Sequence, residues 1–258
     1  MARFDKLEID ENPAEDPNNA RKDERIRAQP AWNERALEER RCGNYENALR
    51  FYSRALEDDK SLVDCWVGQV QMLVQLGESV EAELWSRKAL ELFPGNGDLM
   101  AGRAQALRRM GNLPLSLNLS DGSLKATGQS AYRWMVRGEL MVATGKDTDR
   151  HCFDKAMQID KDWLVPLEIA RTYLEQDCPS RALERIRRAV ELAPSRYFAW
   201  YVQGQVEREL GFSAAAARSW QHCLEICPGN LDAERGLRDL DQGSWSFRRF
   251  WRRIFGSR

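Results

Sequence analysis

Imidazole and thiol groups are scarce in this chain of 258 residues, which contains only two histidines and six cysteines. One cluster, formed by His222, Cys223 and Cys227, offers the ligand types that zinc accepts. A zinc site also needs a fourth ligand at the proper spacing. Moreover, Cys223 occupies a place in a repeating pattern that small residues fill elsewhere. We therefore predict that Cys223 is a buried thiol and that the chain holds no metal or cofactor.

The rest of the sequence contains no recognisable catalytic motif. The histidines His151 and His222 indicate no serine–histidine–acid constellation, and the phosphate-binding pattern GxxxxGK[ST] does not occur. The many carboxylates fall on helix faces that are expected to be solvated. We predict a protein that is not an enzyme and has no small-molecule substrate.

The composition favours a folded chain with reduced thiols. Hydrophobic residues make up 43% of the sequence and nine residues are Trp, so a sizeable core can be buried. The net charge of −1 predicts no overall attraction to nucleic acid. No apolar run approaches the roughly 20 residues of a membrane-spanning helix, and the start, MARFDKLEIDENPAEDP, has no apolar signal core. These features predict a cytoplasmic location.

The elements that must position any functional residue are visible as a repeat of 34 residues. A slot held mostly by tryptophan runs through Trp32, Trp66, Met100 and Trp134, then Pro166 and Trp200. A glycine series runs through Gly43, Gly77, Gly111 and Gly145, and after a small deletion through Gly211. Two series of small residues are Ala48, Ala82, Ser116, Asp149, Ala182, Ala216 and Ala55, Ala89, Ser123, Ala156, Ala189, Cys223.

Each unit is predicted to be a pair of short helices. In the first unit, apolar residues recur at steps of three and four on both sides of Gly43. Gly43 lies where one helix must end and the chain must turn, because glycine adopts left-handed backbone angles at little cost. Small residues let neighbouring helices approach closely, and Pro94, Pro194 and Pro228 end three of the units.

The order of these residues resembles the tetratricopeptide repeat family. The match is carried in the first unit by Trp32, Gly43, Tyr45, Ala48, Tyr52 and Ala55, and in the last by Trp200, Gly204, Gly211, Ala216, Trp220 and Pro228. Six units are identified within 29–230, at 29–62, 63–96, 97–130, 131–162, 163–196 and 197–230. The resemblance implies an all-α, right-handed superhelical solenoid of antiparallel helix pairs. Residues 231–243 carry one apolar face and are predicted to form a capping helix.

The third unit departs from the pattern in its second helix. Ser116, Ser120 and Ser123 replace larger or apolar residues, and Gly122 lies within the helix. An internal glycine costs about 1 kcal/mol relative to alanine. We predict that this helix is the softest part of the stack.

The resemblance also implies a function. Stacked units of this family form a concave groove, lined mainly by the first helix of each unit, in which members usually bind a peptide. Carried over by position, the groove residues are Asn33, Leu37, Val67, Gln71, Gln105, Arg108, Met135, Glu139, Leu167, Arg171, Phe198, Tyr201, Gln205 and Arg208. Amide side chains suit hydrogen bonds to a peptide backbone, and arginines suit a carboxylate. The leading prediction is a non-catalytic scaffold or adaptor that binds a protein or peptide partner.

The final segment, SWSFRRFWRRIFGSR at 244–258, has five arginines and no acidic residue. On a helix, Phe247, Phe250, Trp251, Ile254 and Phe255 would form one stripe, opposite Arg248, Arg249, Arg252 and Arg253. This pattern is typical of a helix lying on an anionic membrane surface. A helix docked on the solenoid or on a partner explains it equally well, and nucleic acid is a less favoured partner. A peripheral membrane scaffold, held at the inner face of a membrane by this tail, is the alternative prediction.

The first 28 residues have the opposite character. Residues 1–20 carry two positive and six negative side chains together with two prolines, a composition that favours a disordered arm. Within the arm, the stretch FDKLEI places apolar residues among acids. The arm is either a plain solvated leader or a segment that masks the groove.

Overall fold

A computed structural model describes residues 31–241, which form thirteen α-helices and no strand. The helices are α1 (Trp32–Arg41), α2 (Tyr45–Asp58), α3 (Val63–Leu76), α4 (Ser79–Leu92), α5 (Gly97–Arg109), α6 (Leu113–Lys125), α7 (Ala131–Ala143), α8 (Asp149–Ile159), α9 (Leu164–Glu175), α10 (Pro179–Leu192), α11 (Tyr197–Glu209), α12 (Ser213–Ile226) and α13 (Leu231–Asp241). The acidic arm and the basic tail, together with residues 29–30 and 242–243, lie outside the described residues.

Each predicted unit holds one pair of helices, from α1 and α2 in the first to α11 and α12 in the sixth. Within the described residues, each helix packs mainly on its neighbours in sequence, and the first helices of successive units from α3 to α11 also touch. This arrangement confirms the all-α solenoid.

The two series of small residues lie between the packed helices, as expected. All twelve positions are buried: Ala48, Ala55, Ala82, Ala89, Ser116, Ser123, Asp149, Ala156, Ala182, Ala189, Ala216 and Cys223. Small side chains are needed there because the helix pairs approach closely. The small residues that recur along the repeat are therefore the ones buried between packed helices.

Aromatic residues of the second helices fill the space above glycines of the first helices. A Cβ atom on Gly68 would lie 2.4 Å from the Tyr52 ring. A Cβ atom on Gly204 would lie 2.4 Å from the fully buried Trp220 ring. Gly236 of α13 approaches the same indole, since its Cβ would lie 2.7 Å away. Helix α13 therefore covers the last unit, as the prediction of a capping helix requires.

One turn uses a residue other than glycine in the left-handed backbone region. Asp177, between α9 and α10, has φ of 56° and takes the place that glycine takes at the corresponding turns of the other units. Aspartate tolerates this conformation better than most residues with a side chain, but it is still strained relative to glycine. The flanking helices end two residues before Asp177 and begin two residues after it, as they do around Gly43, Gly111 and Gly211.

Helix α6 of the third unit is complete, from Leu113 to Lys125. Ser116 Oγ donates to the Ala104 carbonyl at 2.6 Å, and Ser123 Oγ donates to the Gly97 carbonyl at 2.8 Å. These bonds satisfy two buried hydroxyls in slots that are mostly small in the other units, whereas the buried Ser120 takes the slot of Tyr52 and Trp220 and makes fewer apolar contacts than those rings. The softness of this helix stays a prediction.

Candidate functional site

The centre of the concave face is formed by first helices only. Four predicted groove residues, Gln71, Gln105, Met135 and Glu139, surround one small cavity there. The other lining residues are Arg40, Gln75, Tyr132, Glu168 and Thr172. The volume of this cavity is about 10 Å³, which is room for roughly one water molecule. The chain's own side chains therefore fill the centre of this face.

Glu139 of α7 is the main hydrogen-bond and ion-pair acceptor among the side chains that fill this region. Gln105 Nε2 donates to Glu139 Oε2 at 2.6 Å, and the Nε atoms of Arg108 and Arg109 lie 3.3 and 3.2 Å from Oε1. The Tyr132 hydroxyl donates to Gln105 Oε1 at 2.8 Å. Burial raises the pKa of Tyr132 well above its ordinary value, so this hydroxyl stays a donor. Three predicted groove residues, Gln105, Arg108 and Glu139, thus belong to one internal network.

A bidentate ion pair joins the first unit to the fifth. Arg40 Nε and Nη2 donate to the two carboxylate oxygens of Glu168 at 2.7 and 2.8 Å, and Arg40 Nη1 also donates to Gln71 Oε1. Burial by itself would lower the pKa of Arg40, but the Glu168 carboxylate outweighs it and the pKa is raised. The Arg40 guanidinium therefore stays charged, and its paired hydrogen bonds to Glu168 fix the geometry of the contact.

Further polar contacts connect the same two regions. They are the ion pairs Glu38–Arg196 and Arg41–Asp162, and a hydrogen bond of 2.9 Å from the Tyr197 hydroxyl to the Cys42 carbonyl. We call the whole contact the seam. Its residues are Glu38, Arg40, Arg41, Cys42, Gly43 and Tyr45 of the first unit, and Asp162, Glu168, Arg171, Arg196, Tyr197 and Phe198, which run from the end of the fourth unit to the sixth.

The aromatic part of the seam is centred on Tyr45. Its ring meets Phe198 edge to face, with centroids 6.3 Å apart, and Phe198 stacks on Tyr201 at 6.2 Å. The Arg171 guanidinium lies 4.7 Å from the centroid of the Tyr45 ring and donates to its hydroxyl. Burial raises the pKa of Tyr45 to about 12. Arg171 and Phe198, both predicted to face a partner, therefore contact the chain's own first unit.

The turn that carries Tyr45 fits closely against this cluster. Gly43 has φ of 76°, and a Cβ atom there would lie 2.4 Å from the Phe198 ring. At the equivalent turn glycines Gly77 and Gly111, by contrast, no atom lies within 4 Å of such a Cβ. Gly43 thus serves both the turn and the approach of the two regions.

An open cleft of about 600 Å³ lies beside the filled centre, between α9, α10 and α11. It contains the predicted groove residues Arg171, Gln205 and Arg208. The remaining lining residues are Leu174, Glu175, Asp177, Pro179 and Glu209. Gln205 Nε2 donates to the Tyr201 hydroxyl at 2.8 Å, which places a fourth predicted residue at the edge of the cleft.

The other predicted groove residues lie apart from this cleft. Asn33 is exposed in the first turn of α1. Leu37 and Val67 are half-buried and pack against hydrophobic clusters. Leu167 is fully buried in the core of the fourth to sixth units, against which Leu37 and Tyr45 of the first unit also pack.

Sequence reasoning did not identify the seam partners Arg40, Arg41 and Glu168. Arg40 and Glu168 are 128 positions apart, far outside any one repeat. Tyr45 belongs to the repeat pattern, which carries no information about what its hydroxyl contacts. No local signal marks these residues, because the seam depends on how far the superhelix turns over four units.

The cysteine and histidine cluster of the sixth unit is explained by packing. Cys223 is fully buried, which confirms the predicted thiol, and burial raises its pKa to about 12. His222 Nδ1 lies 2.7 Å from Glu225, and its ring lies edge-on to Trp200. Across residues 31–241, no group of three His, Cys, Asp or Glu side chains is placed to hold a metal ion.

Comparison with known proteins identifies the repeat. A family model described as tetratricopeptide repeat matches residues 33–97 and 167–228. The curated Protein CTR9 homolog of Arabidopsis thaliana is 28% identical over 154 residues, which are 57% of this chain. That alignment spans only 14% of the Arabidopsis protein.

Solved structures show the same fold at low identity. TTC0263, a thermophilic tetratricopeptide protein of Thermus thermophilus, is 17% identical with a TM-score of 0.53, over 69% of this chain and 97% of TTC0263. Human IFIT1, as a dimer with PPP-AAAA, is 20% identical with a TM-score of 0.55, over 81% of this chain and 51% of IFIT1. At these identities the likeness concerns the fold alone.

The helices between residues 31 and 241 are 10 to 14 residues long. None of those helices combines the length and apolarity that crossing a membrane requires.

Proposed function

Because this chain belongs to the tetratricopeptide repeat family, we propose that it is a non-catalytic adaptor whose partner binds in the open cleft between α9, α10 and α11. The family's fold is a scaffold for protein–protein interaction in general. The cleft is the part of the predicted groove that the chain's own side chains leave open. This contrast is the observation that carries the proposal.

The chemistry of the cleft favours a peptide with a single carboxylate. Arg171, which also donates to the Tyr45 hydroxyl, and Arg208, which also pairs with Glu209, supply guanidinium groups to the lining. A guanidinium has five N–H donors and binds carboxylates through paired hydrogen bonds. The amide of Gln205 suits a peptide backbone group. Three acids, Glu175, Asp177 and Glu209, lie on the same lining and would repel a run of acidic residues. A partner segment with one acidic side chain, or a free C-terminus among neutral residues, fits this arrangement.

The test uses the full chain and a displayed library of ten-residue peptides with free C-termini. We expect selected peptides to carry one carboxylate at a constant position, and Arg208→Ala to weaken binding about tenfold, as expected for loss of a charged hydrogen-bonding anchor. Arg218→Ala, which alters an arginine of α12 away from the cleft, is the matched control and should leave affinity unchanged. Equal affinity of wild type and Arg208→Ala would contradict the proposal.

A second candidate function is attachment to an anionic membrane surface from the cytoplasmic side. The sequence of 247–255, with alternating aromatic residues and arginines, supports it. Full-length chain should sediment with vesicles that contain phosphatidylserine, whereas a chain ending at 243 should not. If both sediment equally, attachment through the tail is excluded.

A further inference from the structure

We propose that the seam is a latch: the first unit holds the solenoid closed, and release of the seam opens the filled concave face to an extended partner segment. The inference uses the proposed function only for what the opened face would bind. The latch itself can be tested without any partner.

The chemistry of the seam separates it from the contacts that hold the stack together. Neighbouring helices pack through buried alanines and aromatic rings. The seam contains three ion pairs, a carbonyl hydrogen bond and one aromatic contact, and its apolar part is limited, among the described residues, to the partly buried Leu37 and Tyr45 packed on the core of the later units. Charged and carbonyl groups regain hydrogen bonds to water when they separate, whereas apolar surfaces do not. Opening at the seam therefore costs less free energy than opening between neighbouring units.

The ion pairs of the seam differ in their exposure to solvent. The side chains of Arg40 and Glu168 are 14% and 7% exposed, whereas those of Arg196 and Glu38 are 36% and 51% exposed. Exposed pairs are screened by salt much more than buried pairs. The outer Glu38–Arg196 pair should weaken first as ionic strength rises, and the central Arg40–Glu168 pair should break last.

The closed form also leaves polar atoms without a protein partner. Arg41 Nε at the seam and Gln75 Oε1 at the central cavity are buried and make no hydrogen bond to the protein. A buried polar atom without a partner costs free energy that is recovered when water or a ligand reaches it. Both atoms thus favour an opened face that is hydrated or occupied.

Carbodiimide footprinting with glycine ethyl ester measures access to the concave face in the full chain. The reporter is Glu139, whose side chain is 2% exposed, and the internal reference is Glu225, whose side chain is 69% exposed. Glu168→Arg places like charges at the central pair, and Arg40→Glu in the same chain restores opposite charges. Far-UV circular dichroism checks that each variant keeps its helices.

We expect Glu139 to be modified at least about tenfold faster in Glu168→Arg than in wild type, because local opening exposes it. The double variant should return to within about twofold of wild type. Modification of Glu225 should not change. Modification of Glu139 at the wild-type rate in Glu168→Arg, or no recovery in the double variant, would overturn the latch.

A matched pair of glycine variants tests the same latch without altering charge. Gly43→Ala and Gly77→Ala both place a side chain on a left-handed turn, but only Gly43→Ala drives a Cβ into Phe198. Gly43→Ala should therefore speed modification of Glu139 about tenfold, and Gly77→Ala should not. Equal modification in the two variants would overturn the latch. Since no partner takes part, failure of the peptide selection would refute the adaptor proposal and leave these results standing.

Discussion

The stack and the seam hold the same solenoid together by different physics. In the stack, Trp220 is fully buried between glycines of α11 and α13, and the contact joins units that are adjacent in sequence. In the seam, Arg40 and Glu168 are 128 positions apart and meet through hydrogen-bonded charges. The stack therefore depends on apolar burial and local order, whereas the seam depends on charge and on the curvature of the whole. Each of the following experiments should affect one region and spare the other.

The largest expected effect is on the stack. Trp220→Ala removes a fully buried indole and should lower the free energy of unfolding by about 3–5 kcal/mol. The loss should be nearly the same at low and high salt, because most of it comes from apolar burial, to which Arg208 adds a charged contact with the ring. Urea denaturation followed by circular dichroism measures it, with Phe212→Ala, at a 51% exposed position, as control. A loss below about 1 kcal/mol would show that the capped end is not a cooperative part of the stack.

A smaller effect is expected at the seam. Arg40→Ala leaves Glu168 buried without its partner and should cost about 1.5–3 kcal/mol, the usual range for charged hydrogen bonds. Urea denaturation at several NaCl concentrations measures this cost, which should change little with salt because both side chains are mostly buried. Arg235→Ala breaks an exposed pair on α13 and should cost less than about 1 kcal/mol. A cost for Arg40→Ala as small as that of Arg235→Ala would contradict the role given to the buried central pair.

The local stability of the stack should differ between helices along the chain. Helix α6 contains Gly122 and buried serines, one of which, Ser120, has no hydrogen-bond partner for its hydroxyl. We expect its amides to exchange faster than those of α12, because the free energy of local opening should be about 1 kcal/mol lower in α6. Hydrogen exchange read by mass spectrometry compares the two helices in one sample. Equal protection would mean that the serine hydrogen bonds compensate for the lost apolar contacts.

The smallest effect concerns the turn between α9 and α10, beside the open cleft. Asp177→Gly relieves a left-handed backbone at a residue with a side chain and should raise the free energy of unfolding by about 0.5–1 kcal/mol. The same change in thermal midpoint should appear with and without salt. A decrease in stability would indicate that the Asp177 carboxylate stabilises the turn by more than its strain.

Much of the fold could be predicted because the repeat constrains each unit in the same way. The slots of Ala48 and Ala82 recur as Ser116 and Asp149, and all are buried, although a serine and an acid are not obvious core residues. Asp149 is tolerated because the Tyr173 hydroxyl and Arg181 bond to its carboxylate at 2.6 and 2.9 Å. The period indicated the burial, and only the structure supplied the partners.

The candidate site was less predictable, and the reason is geometric. Position within a unit predicted a shared face for Gln105, Glu139 and Arg171, and in the structure Gln105 bonds to Glu139 while Arg171 bonds to Tyr45. It could not indicate that Arg40 and Tyr45 of the first unit would reach the same surface. Small rotations per unit accumulate, and their sum decides whether the first and fifth units meet.

The sequence by itself determined the helix pairs, the buried slots and the cap, since these depend on side-chain size at a fixed period and on contacts between adjacent segments. Tertiary structure alone decided that the concave centre is filled by Glu139 and the Arg40–Glu168 pair, while a cleft beside Arg208 remains open. The physical reason is that a short-range pattern specifies each interface separately. Whether the first unit reaches the fifth and sixth units depends on all the interfaces together.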